Sequence, residues 1–343
     1  MKPCSRPRPR ALPRRFRRPR LLVVGCGDVG LRLLAQLAPR LRRSLDVLAL
    51  SRRPAQREAA RALGARALAA DLDETRSLRR LAAFCDRVVY LAPPPGSGDD
   101  DPRIARFIAA CRTHLRRERR DRGMPPARWT YVGTTGVYGD CAGAWVEESR
   151  PVAPLSARAR RRVAAERRVR ALSAAGLARV ALLRAPGIYA HDRLPLRRLR
   201  EGTPALREAD DVYTNHVHAD DLARAAWLAL ARGRPGRVYN AVDDSALKMG
   251  DYFDLVARAL DLPPPPRLSR AAITEQVGAA TLSFMSESRR LANRRLVREL
   301  RCGLRWPTVA DTLADVTRGR SALLYSCPLP PGQDLPGRGT VLV

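Results

Sequence analysis

LLVVGCGDVG, residues 21–30, decides how the rest of the chain is read. Four apolar residues, Leu21 to Val24, run straight into Gly25-Cys26-Gly27-Asp28-Val29-Gly30. A helical pattern follows, with Val29, Leu33, Leu34 and Leu37 on one face. The order is strand, tight turn, helix. In that setting each glycine has a physical reason. Gly25 allows the sharp exit from the strand, Gly27 removes the side chain that would hold a pyrophosphate off the backbone, and Gly30 lets the helix pack close to the sheet. The helix start then offers free N–H groups and a positive dipole end to phosphates. The turn, including Cys26, Asp28 and Val29, is expected to bind a dinucleotide. The plainer alternative is an ordinary strand–turn–helix connection. Cys26 reads as small filler, not as a redox group.

Outward from the turn the period alternates. β-like apolar runs fall at 21–25, 46–50, 66–70, 87–92, 129–133 and 179–184, with helical stretches near 29–38, 55–63, 75–84, 102–119 and 156–175. Repeated βα units predict an α/β fold, a Rossmann-type doubly wound parallel sheet with helices on both faces. After residue 185, loops alternate with short helices near 219–231, 249–260 and 288–301, and Val238-Tyr239-Asn240 reads as one further strand. The expected organisation is a disordered Arg/Pro arm (1–20), a nucleotide-binding domain (21–184), a small C-terminal α+β substrate lobe (185–319) with a strand near 238–241 returning to the sheet, and a loose tail (320–343).

Composition narrows the partners. The formal net charge is +30, yet all but two of the 64 basic residues are arginine. That imbalance reads as genomic base composition more than as a surface selected for phosphate contacts, so specific nucleic-acid binding is not expected. No apolar run approaches the ~20 residues that span a bilayer, and the run at 21–24 is short of the ~7–15 of a signal-peptide core. Seven scattered cysteines without a CxxC pair fit reduced thiols, and a cytoplasmic location is expected. The four histidines, at 114, 191, 216 and 218, and the cysteines show no metal-ligand spacing.

The cofactor type is read at the end of the second strand. An NAD site places Asp or Glu there for the ribose 2′-hydroxyl. Here the strand ends Ala49-Leu50-Ser51-Arg52-Arg53. A hydroxyl at Ser51 and a guanidinium at Arg52 suit a 2′-phosphate, which favours NADP with NAD as the alternative. Asp71-Leu72, after the third strand, is expected beside the adenine, with a helix cap as the plainer role for Asp71. Leu91, Ala92 and Pro93, ending the fourth strand, complete the expected cofactor contacts.

Tyr131-Val132-Gly133-Thr134-Thr135-Gly136-Val137-Tyr138-Gly139-Asp140 resembles the hydroxyl-rich strand end and VYG segment of extended and atypical short-chain dehydrogenases/reductases, which include the NAD(P)-dependent epimerase/dehydratase group. Leu183-Arg184-Ala185-Pro186-Gly187-Ile188-Tyr189 is similar to the family's loop near the nicotinamide. His216 to Ala223, Val238-Tyr239-Asn240, Ser288-Arg289-Arg290 with Asn293, and Trp306-Pro307 follow in the family's order. The resemblance implies that Pro186 and Ile188 approach the cofactor and that Thr134, or Thr135, holds a substrate oxygen. It also implies a tyrosine four residues before a lysine as the proton shuttle. Residues 140–188 contain neither residue type. With Glu166 as the family's glutamate, the two positions fall on Arg158 and Arg162. Arginine keeps its proton at neutral pH, so neither replaces a tyrosine as acid or base. Tyr138, Tyr189 and His191 are the other candidates for proton transfer. His218 is expected to satisfy the start of the helix at 219–231, with Asp220 or Asp221 as the cap.

Two functions follow. One is an NAD(P)-dependent oxidoreductase or epimerase-like enzyme acting on a small molecule, with Thr134, Tyr138, Arg158 and Arg162 as site residues. The alternative is a noncatalytic NADP-binding sensor or scaffold.

Overall fold

A computed structural model describes residues 18–41, 44–121 and 123–319. Most of the expected arm and all of the tail lie outside these residues, together with Cys4 and Cys327. The first half runs β1 (Arg20–Val24), α1 (Asp28–Leu41), β2 (Asp46–Leu50), α2 (Pro54–Ala62), β3 (Arg66–Leu68), α3 (Thr75–Leu78), β4 (Arg87–Tyr90), α4 (Pro102–Arg120) and β5 (Ala127–Thr134). β6 (Trp145–Val146), α5 (Ala157–Ala174) and β7 (Ala178–Ala185) follow. Beyond them come β8 (Gly187–Tyr189), α6 (Leu196–Arg200), β9 (Ala205–Leu206), β10 (His216–His218), α7 (Ala219–Arg232) and β11 (Val238–Asn240). The C-terminal part holds α8 (Met249–Ala259), β12 (Arg267–Leu268), α9 (Arg270–Gln276), α10 (Ala279–Met285), β13 (Arg290–Leu291), α11 (Arg294–Arg298) and α12 (Val309–Thr317).

Seven strands form one sheet in the order β11-β7-β5-β4-β1-β2-β3, and every pairing is parallel. Along β1 the side chains alternate between two cores. Leu21 and Val23 pack on one face with Leu33 and Leu37 of α1 and with Leu222 and Leu230 of α7. Leu22 and Val24 pack on the other with Ile104 and Phe107 of α4 and Val169 and Leu172 of α5. Burial on both faces is why the strands read as continuous apolar runs. α4 starts at an Asp101 cap that accepts from the amides of Arg103 and Ile104, with Pro102 as its first residue. Strand order reverses between β1 and β4, so a crevice opens beyond their carboxyl ends.

Several local expectations shift. β1 begins at Arg20, inside the stretch read as arm, because Arg20 pairs with Asp46. The helix expected over 75–84 is α-helical only to Leu78 and continues as a 3-10 helix over Arg79–Phe84. The helix expected over 288–301 is restricted to α11. Arg290 and Leu291 are extended instead, paired in parallel with Trp145 and Val146. Two further two-stranded pairs, β8 with β10 and β9 with β12, bracket a separate apolar cluster around Leu199, Leu206, Phe253, Ile273 and Leu313.

Candidate active site

The glycine turn sits where β1 and β4 part. Gly25 has φ +80, and a Cβ on it would lie 2.6 Å from both the N and the Cα of Ala92. Only glycine fits there. The amides of Gly25 and Cys26 both donate to the Leu50 carbonyl, at 3.1 and 2.9 Å, so β2 holds the turn. A Cβ on Gly30 would meet Cys26 Sγ at 3.2 Å and Leu91 Cδ1 at 3.4 Å, the signature of helix packed tightly on sheet. Gly27 differs. Its nearest neighbour would be Gln56 Nε2 at 3.8 Å, so its outer face is open. The first bond of α1 runs from the Leu31 amide to the Gly27 carbonyl at 2.8 Å. The amides of Asp28, Val29 and Gly30 therefore have no acceptor within the helix. An open backbone face beside these amides fits a pyrophosphate. The Asp28 carboxylate is taken up by Arg32 at 2.9 Å and Arg193 at 2.7 Å. Cys26 is fully buried, and burial pushes its thiol up to about 12, which keeps it unreactive.

At the end of β2, Ser51 Oγ donates to Gln56 Oε1 at 2.6 Å and accepts from the Arg53 amide. Arg57 donates to the carbonyls of Ser51 and Arg52. Arg52 is exposed, with one nitrogen 3.4 Å from Asp71 Oδ2. Arg52 and Arg57 thus share one corner at the end of β2. Asp71 accepts from the Asp73 amide and does not cap α3, whose N-terminal residue Glu74 makes no side-chain cap. Hydrogen bonds from Arg103 hold the neighbouring Asp73 carboxyl below its usual range. Leu72 is buried in the core. Leu91 hydrogen-bonds through its amide to the Val24 carbonyl, Ala92 lies under Gly25, and Pro93 is exposed at the mouth of the crevice.

The other end of the crevice is built by β5 and α5. Thr134 Oγ1 accepts from the Gly136 amide at 3.3 Å, which starts a 3-10 helix over Thr135–Tyr138; Thr135 is buried. Tyr138 lies beneath this end and not in it. It is 1% exposed, its hydroxyl donates to Asn240 Oδ1 at 2.8 Å, and the Arg184 guanidinium lies 4.6 Å from its ring centre. Burial raises its pKa. Arg158 and Arg162 stand one turn apart on α5. Arg162 Nη1 lies 3.3 Å from both the Val132 carbonyl and the Tyr131 hydroxyl, and 3.5 Å from the Ala92 carbonyl. It ties the ends of β4 and β5 together. Burial opposes its charge, but Tyr131 and Asp101 outweigh that and leave its pKa raised. Arg158 lies 4.1 Å from the centre of the Phe284 ring, and burial, with the neighbouring arginines, lowers its pKa. Pro186 is half-buried after β7, and Ile188 packs against the core.

The later residues add what the sequence reading missed. Glu287 Oε2 accepts from Arg289 Nη1 at 2.7 Å, and the same Arg289 nitrogen donates to the Gly139 carbonyl. A Cβ on Gly136 would lie 3.6 Å from Thr134 Oγ1 and 4.0 Å from Glu287 Oε2, so hydroxyl and carboxylate border one space. The motif Ser288-Arg289-Arg290 was the available signal; its role here is to dock Glu287 on the loop after the 3-10 helix. Tyr189 is 2% exposed and packs edge-on to His216 and His218. His191 stacks edge-on to Trp306 and bonds His218 at 3.3 Å. His218, and neither Asp220 nor Asp221, caps α7, since its Nδ1 accepts from the Asp220 amide. Asp221 instead accepts from the amides of Arg305 and Trp306.

A family model for the NAD dependent epimerase/dehydratase family matches residues 21–241. The chain belongs to that family. No curated protein matches it. Among solved structures it is similar to a functionally unknown conserved protein from Silicibacter pomeroyi, with 27% identity and a TM-score of 0.69 over 88% of this chain and 99% of that one. It is also similar to a nucleoside-diphosphate-sugar epimerase from Pseudomonas aeruginosa, at 20% identity and TM-score 0.67, covering 88% and 98% of the two chains. A Thermus thermophilus UDP-glucose 4-epimerase in complex with NAD shares 20% identity and a TM-score of 0.65, covering 88% and 99%. The last two share the fold of this chain. Among the described residues no helix is long and apolar enough to cross a membrane, and no group of three His, Cys, Asp or Glu side chains is disposed to hold a metal.

Proposed function

We propose that this chain is an NAD(P)-dependent oxidoreductase of the epimerase/dehydratase type, with NADP preferred over NAD. Residues 21–184 hold the cofactor, and the lobe of residues 185–319 receives a small-molecule substrate. The open face of Gly27 at the strand-order reversal carries this reading. There the amides of Asp28, Val29 and Gly30 bind pyrophosphate, while Ser51, Arg52 and Arg57 bind a ribose 2′-phosphate. Asp71 and the backbone of Leu72 flank the adenine, and Leu91, Ala92, Pro93, Pro186 and Ile188 line the path to Thr134. A bound nicotinamide supplies the two-electron partner for a substrate alcohol or carbonyl. Thr134 hydrogen-bonds the reacting oxygen. Arg158 supplies positive charge beside it, and Arg162 fixes the strand ends below. A cytoplasmic setting belongs to this reading, supported by the five cysteines of the described residues, which are buried and free.

The replacement of the family's tyrosine and lysine by Arg158 and Arg162 favours a second reading, a noncatalytic NADP sensor. One experiment separates the two. Purified protein is titrated with NADP and NAD, then assayed with UDP-glucose, dTDP-glucose and simple ketones. The enzyme reading requires turnover that falls about 10²–10³-fold in Thr134→Ala, with cofactor affinity retained. Tight NADP binding with no turnover supports the sensor, and absence of dinucleotide affinity overturns both.

A further inference from the structure

Proton transfer lacks a visible agent in this site. Tyr138 is committed to Asn240, Tyr189 is packed in the second lobe, and His191 is engaged by His218. Arg158 and Arg162 keep their protons across the working pH range. The thiol of Cys141 is 6% exposed, and burial raises its pKa. Asp140 accepts from the amides of Ser288 and Ala142.

From these constraints we infer that Glu287 is the proton-transferring group, a role that rests on the oxidoreductase reading above. The geometry is specific. Glu287 and Thr134 border the same space above Gly136, where the three atoms nearest a Cβ would be Oγ1 and Cγ2 of Thr134 and Oε2 of Glu287. The Glu287 side chain is 9% exposed, so water competes little for it. Arg289 fixes one carboxylate oxygen and is itself fixed by the Gly139 carbonyl, which ties Glu287 to the loop that follows Thr134. Arg158 stands across from it on α5 and balances its charge.

In the oxidising direction the alcohol O–H bond breaks and its proton forms a new O–H bond on the Glu287 carboxylate. The carbon-bound hydrogen leaves with its electron pair for the nicotinamide, so the substrate loses two electrons and the dinucleotide gains two. Reduction of a carbonyl reverses both transfers. Thr134 holds the oxygen throughout.

The test has a binding arm and a turnover arm. A carboxylate at this end of the crevice favours the positively charged oxidised ring over the neutral reduced one. Glu287→Gln is therefore expected to raise the ratio of the NADP⁺ to the NADPH dissociation constant by about three- to tenfold, while Glu287→Asp keeps the wild-type ratio. With whichever of UDP-glucose, dTDP-glucose or ketone the wild type uses, Glu287→Gln is expected to lower kcat by roughly 10²–10⁴ at an unchanged melting temperature. An unchanged ratio together with turnover close to wild type in Glu287→Gln overturns the Glu287 role and leaves the cofactor reading standing. A wild type that binds neither dinucleotide overturns the proposed function, and this inference falls with it.

Discussion

Arg184 and Glu166 face each other in a two-point ion pair, at 2.9 and 2.7 Å, with each residue 3% exposed. The pair lies under the Tyr138 ring and supports the floor of the site from β7 and α5. Removing one partner leaves a charge buried without compensation, which costs about 3–5 kcal/mol. Glu166→Ala should therefore lower unfolding free energy by that amount in urea titrations. The double variant Glu166→Leu with Arg184→Met should recover most of it. A single variant within about 1 kcal/mol of wild type would mean the pair is solvated in solution.

Two glycines two residues apart should respond in opposite ways. Gly25→Ala places a methyl against the Ala92 backbone at a positive φ, so the expected outcome is a loss of stability of about 2 kcal/mol or more. Gly27→Val meets open space within the protein and should melt near the wild-type temperature, yet lose dinucleotide binding. Calorimetry and a cofactor titration on both variants check this. Retained affinity in folded Gly27→Val would remove the pyrophosphate from this turn.

Selectivity should sit at Arg52. A charge-assisted contact to a phosphate is worth about 1.5–3 kcal/mol, so Arg52→Ala should weaken NADP roughly tenfold or more with little change for NAD. Equal losses for the two would show that Arg52 does not touch the 2′-phosphate.

Acid should destabilise the fold through two histidines. His216 and His218 are 1% and 0% exposed. Burial pushes His216 down to about 3 and His218 down to about 2, the latter aided by His191, Arg32 and Arg305. Unfolded histidine takes its proton near pH 6.5. Below that pH the unfolded state binds more protons, so stability is full above pH 6.5 and falls as the pH drops. The limiting slope is about 1.4 kcal/mol per pH unit for each histidine. Urea titrations between pH 7.5 and 5 measure it. His218→Asn keeps a capping side chain on α7 and should reduce the slope by about one proton. An identical slope in that variant would place the titration elsewhere.

The parts of this protein legible in its sequence are the local ones. Gly25, Gly27 and Gly30 announced the turn because backbone conformation and close packing restrict residue choice there. The strands announced themselves because burial on both faces leaves runs such as Leu21 to Val24. What escaped depends on distant residues meeting. Glu287 comes near Thr134 as Ser288 and Arg289 dock on the loop around Gly139, Cys141 and Gly143. His218 sits at the start of its helix as the sequence suggests, but the cap is its own ring, stacked on Trp306 at 3.8 Å, whereas local propensity pointed to the aspartates that follow. Tyr138 looked available by motif, but Asn240, on a strand arriving much later, takes its hydroxyl.

That late strand bears on how the protein can be cut and how it is made. β11 pairs with β7 through Val238, Tyr239 and Asn240. Before residue 240 has been synthesised, β7 is the outermost strand of the sheet, with buried-type residues at seven of its eight positions. An uncovered edge of that kind invites pairing with other chains. A fragment ending near residue 184 should therefore self-associate on expression, whereas one carried through residue 241 should stay monodisperse, making the shortest excisable nucleotide-binding unit discontinuous in its logic though continuous in its chain.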